Sequence, residues 1–222
     1  MDGTALFKLS YGLYIVSSRE GERVNAQIAN TVFQISDTPV RICVSLNKGN
    51  LTNEFVKKSG VLTINVLDQD VPFDVIGRFG FQSGRDVEKF ADFSYGLDVN
   101  GCPMIVEDCV ANIACKVVDQ MEVETHTLFI CEILEASKKD GEPMTYAHYH
   151  LRKSNGGAVV PKTTPVESAL EKPAVGGGKK YQCMICGHIY DEDKEGVKFA
   201  DLPDDWTCPI CRVNKNMFME VQ

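Results

Sequence analysis

A mainly β protein in two parts is what the 222 residues predict: an antiparallel barrel with short helices, then a small metal-binding module. Three observations carry this. Strand-length apolar runs bounded by turn residues follow one another without the regular strand–helix alternation of a parallel sheet. No G-x-G-x-x-G occurs, which argues against a Rossmann dinucleotide domain. Two C-x-x-C pairs stand near the C-terminus, and the chain is far too long to be that module alone.

Residues 6–18 read as a strand, with Leu13, Ile15, Tyr11 and Tyr14 bounded by polar residues. Residues 24–36 continue in strand style after the turn at Glu20-Gly21-Glu22, and 40–46 form another strand that Asn47-Lys48-Gly49-Asn50 breaks. A short helix is predicted over 51–58, with Asn50 as N-cap and Gly60 as its stop. Residues 61–67 form a buried strand, and 72–90 form short helical pieces around Gly80 and Gly84. Strands return at 105–107 and 110–118, with a long one over 122–136.

Cys183-Met-Ile-Cys186-Gly187 and Cys208-Pro209-Ile210-Cys211 are separated by 21 residues. Each pair turns both sulfurs toward one ion, and two pairs complete a tetrahedral site of four thiolates. The cysteines alone fit zinc and iron equally. Zinc ribbons that bind nucleic acid are basic, whereas residues 181–222 hold eight acidic side chains against four basic. Tyr181, Tyr190, Trp206 and Phe218 are of a kind that wraps a metal in apolar surface and tunes a redox couple. The pattern Tyr-x-Cys-x-x-Cys-Gly-x-x-Tyr-Asp, then Leu-Pro-x-Asp-Trp-x-Cys-Pro-x-Cys, resembles rubredoxin. That resemblance implies one iron held by Cys183, Cys186, Cys208 and Cys211 as a one-electron carrier. The segment between the knuckles is shorter than in the common form, with part of a loop missing after Asp191, and Arg212 stands where glycine is usual.

The larger part resembles the flavin reductase-like family. Val24-Asn25-Ala26-Gln27, residues 41–47, Asn50-Leu51-Thr52 and Ile64-Asn65-Val66-Leu67 carry the likeness. So do the glycine-flanked stretch 77–86, Thr125-His126-Thr127-Leu128-Phe129 and Tyr146-Ala147-His148-Tyr149-His150. The resemblance implies an FMN-binding split barrel, usually a homodimer. Phosphate needs hydroxyls, backbone N–H groups and cations. Asn47, Lys48 and Thr52 at a strand-to-helix junction offer one such set, with Ser45 on the strand before it. Ser83, Arg85 and Lys89 offer a second, and Asn25, Ala26, Gln27, Asn30 and Thr31 suit the isoalloxazine edge. His126 holds the position where the family places a histidine beside the flavin or the incoming nicotinamide, as an orienting or electrostatic group.

The expected boundaries are a barrel over 1–165, a linker over 166–178 and the rubredoxin-like domain over 179–222. Pro165, Pro173 and Gly176-Gly177-Gly178 suit a tether, which holds one redox site near the other at about millimolar effective concentration. This order of domains resembles the high-molecular-weight rubredoxins of anaerobes. It implies an oxidoreductase taking electrons from NADH through FMN to the iron, and on to a flavodiiron protein that reduces nitric oxide or dioxygen. Two other readings stay open: an electron carrier that does not oxidise NAD(P)H, and a zinc-containing, non-catalytic flavin-binding sensor.

The net charge of −8 argues against nucleic acid and against an anionic membrane. Residues 1–4 show no basic or apolar leader, so a cytoplasmic protein is expected. Cys43, Cys102, Cys109, Cys115 and Cys131 lack C-x-x-C spacing, mostly lie in apolar runs and read as buried, inert thiols.

Arg212 places a positive charge beside a site whose reduced form is the more negative. Replacing it with glycine is expected to lower the midpoint potential of the metal site, and a redox titration showing no fall would remove that role.

Overall fold

The computed structural model describes residues 8–154, 178–183, 188–203, 206–208, 215 and 218–221. Contacts divide the chain into two units, Met1–Pro161 and Lys162–Gln222. Linker residues 166–177, Cys186, Cys211 and Arg212 lie outside the described residues, so the expectations placed on them have no structural account.

The first unit is built on β1 (Tyr14–Glu20), β2 (Arg23–Ala29), β3 (Val32–Asp37), β4 (Val40–Asn47), β5 (Val61–Leu67), β8 (Cys109–Val123) and β9 (His126–Lys138). They form one seven-stranded antiparallel sheet in the order β2-β1-β5-β8-β9-β4-β3. Its two edges, β2 and β3, are consecutive in the chain and joined only by Asn30 and Thr31. Flat, seven strands would set those edges about 29 Å apart, whereas three Cα steps span only about 11 Å. The sheet must therefore curl until its edges meet; Ser45 N–H donates to Thr31 O (3.0 Å), carrying the β3–β4 ladder one residue further towards β2. Register shifts in the β8–β9 pairing, at Ala114/Cys115 and Val117/Asp119, help the longest hairpin to bend.

Alternation along the strands sorts two cores. Val16, Val44, Leu46, Leu62, Ile64, Cys115, Phe129 and Cys131 cluster together with Val56 of helix α1 (Leu51–Ser59). Leu13, Ile15, Ala26 and Leu67, one residue out of phase, pack instead with Val75, Ile76 and Phe79 of α2 (Phe73–Gly80). α1 ends where expected, because Gly60 takes the left-handed conformation (φ 69°) that closes the helix. Asn50 stands at its N-cap position but makes no side-chain capping bond.

Four sequence expectations are corrected. Residues 24–36 are two strands, because their halves belong to opposite sheet edges. The strand expected over 122–136 is interrupted at Glu124 (φ 39°) and Thr125, where β8 turns into β9. The strand expected at 105–107 is displaced to β7 (Pro103–Met104), which pairs with β6 (Gly96–Leu97). Residues 146–154 form helix α3 (Tyr146–Ser154), which no strand or helix reading anticipated.

A buried polar knot fastens the 96–105 excursion to the barrel. Asn65 Nδ2 donates to Ile15 O (2.8 Å) and Ser17 Oγ (3.2 Å), while its Oδ1 accepts from Ile105 N–H (2.9 Å) and Asn112 Nδ2 (2.9 Å). Ser17 Oγ donates to Pro103 O, and Thr63 Oγ1 donates to Asp98 Oδ2 at 2.6 Å. The cysteine expectation holds: all five barrel thiols are free and buried, and burial pushes Cys102, Cys109 and Cys115 up to about 12.

The second unit contains β10 (Lys180–Cys183), β11 (Ile189–Asp191) and β12 (Phe218–Val221), ordered β11-β10-β12. One helical turn, α4 (Glu192–Glu195), follows β11, with the Asp191 carboxylate accepting from Asp193 N–H.

Replacing Asn65 with Leu leaves Ile105 N–H and the Asn112 amide short of an acceptor. Each stranded group costs about 1–3 kcal/mol, so the barrel is expected to lose about 2–4 kcal/mol. Far-UV circular dichroism during urea unfolding checks this; tryptophan fluorescence would not, since the single Trp206 lies in the second unit.

Candidate functional site

A polar cleft of about 370 Å³, open mouth included, lies between the start of α1 and the segment after α2. One wall is Asn50, Leu51 and Thr52; the other is Gln82, Ser83 and Gly84; Asn25, Gln27, Ile28, Phe79, Gly80 and Lys89 complete the lining. The walls touch: Asn25 Nδ2 donates to Thr52 Oγ1 (2.8 Å), and a Cβ on Gly84 would fall 2.1 Å from Asn25 Oδ1. Only glycine lets that loop approach β2 so closely.

Lys89 is buried, and its ammonium donates to Ala26 O (2.9 Å) and Phe79 O (3.0 Å). Both acceptors need it. Ala26 lies on an edge strand, and Phe79 is in the last turn of α2, where carbonyls lack helical partners and the dipole favours a cation. Burial lowers the amine to about 8, so it is charged at neutral pH, with three N–H donors and two recorded acceptors. Gln27, 7% exposed, presents Oε1 with no hydrogen-bond partner. A buried acceptor without a donor is what a ligand N–H would satisfy.

Around this cleft the structure gathers Asn25, Gln27, Thr52, Ser83 and Lys89 from the expected residues, with Ala26 taking part through its carbonyl. Arg85 follows Ser83 and Gly84 directly, and its guanidinium meets Glu54 of α1 (Nη2–Oε1 2.5 Å). A second group forms at the β4–β9 rim. Asn47 pairs with His126 across the ladder, and its Oδ1 accepts from Gly49 N–H at 2.8 Å. Lys48 is held by Glu122 (2.9 Å), which also takes Lys57 (2.8 Å). Those two ammonium groups hold the exposed Glu122 carboxyl at about 2. His126 Nδ1 lies 2.8 Å from Thr125 Oγ1. Burial, then the Lys48 charge, keep its imidazole below the ordinary range and hence neutral near pH 7. Asn30, Thr31 and Ser45 sit at the barrel seam and do not line the cleft: Thr31 Oγ1 donates to Asn30 Oδ1 (3.1 Å).

Sequence reasoning missed Gln82 and Gly84 as lining residues, although both stand in the glycine-flanked stretch it singled out. It had no signal for Glu54 or Glu122, whose roles come from partners 31 and more than 60 residues away.

In the second unit Cys183 and Cys208 are buried at 1% and 0% exposure. Cys183 N–H donates to His188 O (2.8 Å). The aromatic wrap is present and gains a member: Phe199 stacks on Tyr181 (4.3 Å between centroids) and meets Tyr190, Trp206 and Phe218 within 5.7 Å. Two soft, buried thiols in the unit that holds this aromatic cluster fit iron or zinc chemically.

The description "Flavin reductase like domain" matches residues 6–155, and the chain belongs to that family. The description "Rubredoxin" matches residues 180–218, so the chain joins a flavin reductase-like barrel to a rubredoxin domain, an arrangement for electron transfer. Over the full length of both chains it is 43% identical to the high molecular weight rubredoxin of Moorella thermoacetica. It is 47% identical to the ferric-chelate reductase (NAD(P)H) of Archaeoglobus fulgidus, over 69% of this chain and 91% of that one. A flavin reductase structure from Haemophilus somnus superposes with a TM-score of 0.58 at 23% identity, over 64% of this chain and 90% of that one, and so shares the fold.

The buried amine gives a pH signature. An unfolded lysine holds its proton more tightly than Lys89 does, so the folded chain is penalised at every pH below about 8. That penalty, on the order of 3 kcal/mol, is relieved as pH rises from about 8 to 10.5. Unfolding free energies measured across that window for the wild type, minus those for Lys89→Met, should therefore rise with pH. A flat difference would mean that Lys89 is not a buried cation.

Proposed function

We propose that this protein is an NAD(P)H-dependent oxidoreductase that passes electrons from NADH through FMN to a rubredoxin-type iron site. Its acceptor is a flavodiiron-type reductase of nitric oxide or dioxygen. The observation that carries the reading is the polar cleft at the α1 N-terminus in a flavin reductase-like barrel, on one chain with a rubredoxin domain. When bound, FMN accepts a hydride and gives up electrons singly, and an iron in four thiolates takes one at a time.

The chain's own residues divide the work. Residues 1–165 form the flavin-binding unit, 166–178 the tether and 179–222 the iron-binding unit. First-turn amides of α1, the Thr52 and Ser83 hydroxyls and Arg85 suit a phosphate. Gln27 Oε1 suits an imide N–H of the isoalloxazine, with Asn25, Ala26 and Lys89 beside it. Asn47, Lys48 and neutral His126 form the rim that meets the nicotinamide, where His126 orients the incoming ring. Asn30, Thr31 and Ser45 brace the seam beneath. Cys183, Cys186, Cys208 and Cys211 hold the iron, and the acidic tail presents its charge to the acceptor.

The protein works as a homodimer in the cytoplasm. Exposed apolar side chains on β3 and the outer half of β8, namely Phe33, Ile35, Val118, Met121 (62% exposed) and Val123, supply a surface for a second copy. Five free barrel thiols suit a reducing compartment. No helix among the described residues is long and apolar enough to cross a membrane.

The test is the visible spectrum of the purified chain before and after NADH. Flavin bands that bleach on NADH, together with the absorption of thiolate-bound iron, are expected. A colourless metal site would favour zinc, and flavin that stays oxidised would favour the carrier reading. Replacing Cys208 with Ser puts a hard oxygen in place of a soft thiolate. NADH oxidation with ferricyanide should then persist, while reduction of a flavodiiron acceptor falls about tenfold or more. An undiminished rate would overturn the electron path.

A further inference from the structure

An exposed ion pair joins the two segments that carry the walls of the cleft. Arg85 follows one wall, Ser83-Gly84, and Glu54 lies in the first turn of α1, two residues beyond Thr52 of the other wall. The contact is two-pronged, with Nη2–Oε1 at 2.5 Å and Nη1–Oε2 at 3.4 Å, and Nη2 also approaches Gly49 O at 3.5 Å. Both side chains are 44% exposed, so no core packing depends on them.

We propose that Glu54 is a resident anion that occupies Arg85 until the phosphate of the cofactor displaces it, so that the pair is a clasp which tunes selection of phosphorylated flavin. This inference rests on the reading of the cleft as a flavin site. The surroundings favour an anion at this place. α1 is nine residues long, only Asn53 of its first turn has a recorded backbone acceptor (Asn50 O, 3.1 Å), and Asn50 does not cap the turn with its side chain. The unpartnered Gln27 Oε1 in the same lining independently points to a missing ligand. With a guanidinium at the mouth, the site is a nest for a negative group, and Glu54 is the negative group the chain itself supplies.

The clasp is weak enough to open. An exposed ion pair of this kind changes an equilibrium by a factor of only about 1.4–5. A phosphomonoester carries up to two charges and three acceptor oxygens, and it takes a guanidinium two-pronged as a carboxylate does. A phosphorylated flavin therefore replaces Glu54 on Arg85, at the cost of that factor. Riboflavin has no phosphate and leaves the clasp closed.

The experiment measures FMN and riboflavin affinity by flavin fluorescence quenching at low ionic strength on the full chain. The variants are Glu54→Gln, Arg85→Gln and the double substitution, with circular dichroism as the folding control. Glu54→Gln should tighten FMN about two- to fivefold and leave riboflavin unchanged. Arg85→Gln should weaken FMN about tenfold or more, again sparing riboflavin. In the Arg85→Gln background the Glu54→Gln gain should vanish, since the competition needs both partners. FMN affinity that is unchanged or reduced in Glu54→Gln overturns the clasp, as does a gain that persists without Arg85. A wild type that binds neither flavin overturns the reading of the cleft itself, and the riboflavin arm separates that failure from the first.

Discussion

Closure of the sheet governs the larger unit. Because β2 and β3 are chain neighbours at opposite edges of a seven-stranded sheet, Asn30 and Thr31 can join them only if the sheet rolls up. Rolling gathers Val16, Val44, Ile64 and Phe129 into one inner core. Asn25 and Gln27 share the face of β2 that carries Ala29 and meets Val16, and α1 and the loop after α2 converge on them. Edge-strand status leaves the Ala26 carbonyl without a ladder partner, which is why a buried lysine can sit there at all.

Charge is used in two regimes. Lys89 is buried, and its desolvation is offset by two carbonyls that would otherwise lack donors, one of them at a helix C-terminus. Around the rim, Lys48 and Lys57 on Glu122 and Arg85 on Glu54 are solvent-exposed pairs, cheap to rearrange. The first kind holds α2 against β2; the second leaves the approaches to the cleft adjustable.

The second unit solves a different problem. It is too small for an extensive apolar core, and modules of this size need a staple such as a metal. Its described interior is one aromatic cluster, Tyr181, Tyr190, Phe199, Trp206 and Phe218, with Cys183 and Cys208 buried in the same unit. A metal in such a setting would be shielded from water by rings, the condition under which a thiolate site works as a redox couple.

The sequence by itself determined the class: knuckle spacing, acidic balance and aromatic placement are local patterns, and so is the succession of short strands without βα alternation. It also marked part of the cleft, because Asn25, Thr52 and Ser83 stand in turn-rich stretches whose chemistry is legible one segment at a time. Tertiary structure alone decided where the strand over 24–36 breaks, since the break follows from sheet closure and nothing in the local apolar pattern marks it. It alone paired Arg85 with Glu54 and Lys48 with Glu122, and it set Asn30, Thr31 and Ser45 apart from the cleft lining. Charged side chains in a sequence carry no record of their partners, because Coulomb attraction acts through space and the chain's path through the barrel sets those distances.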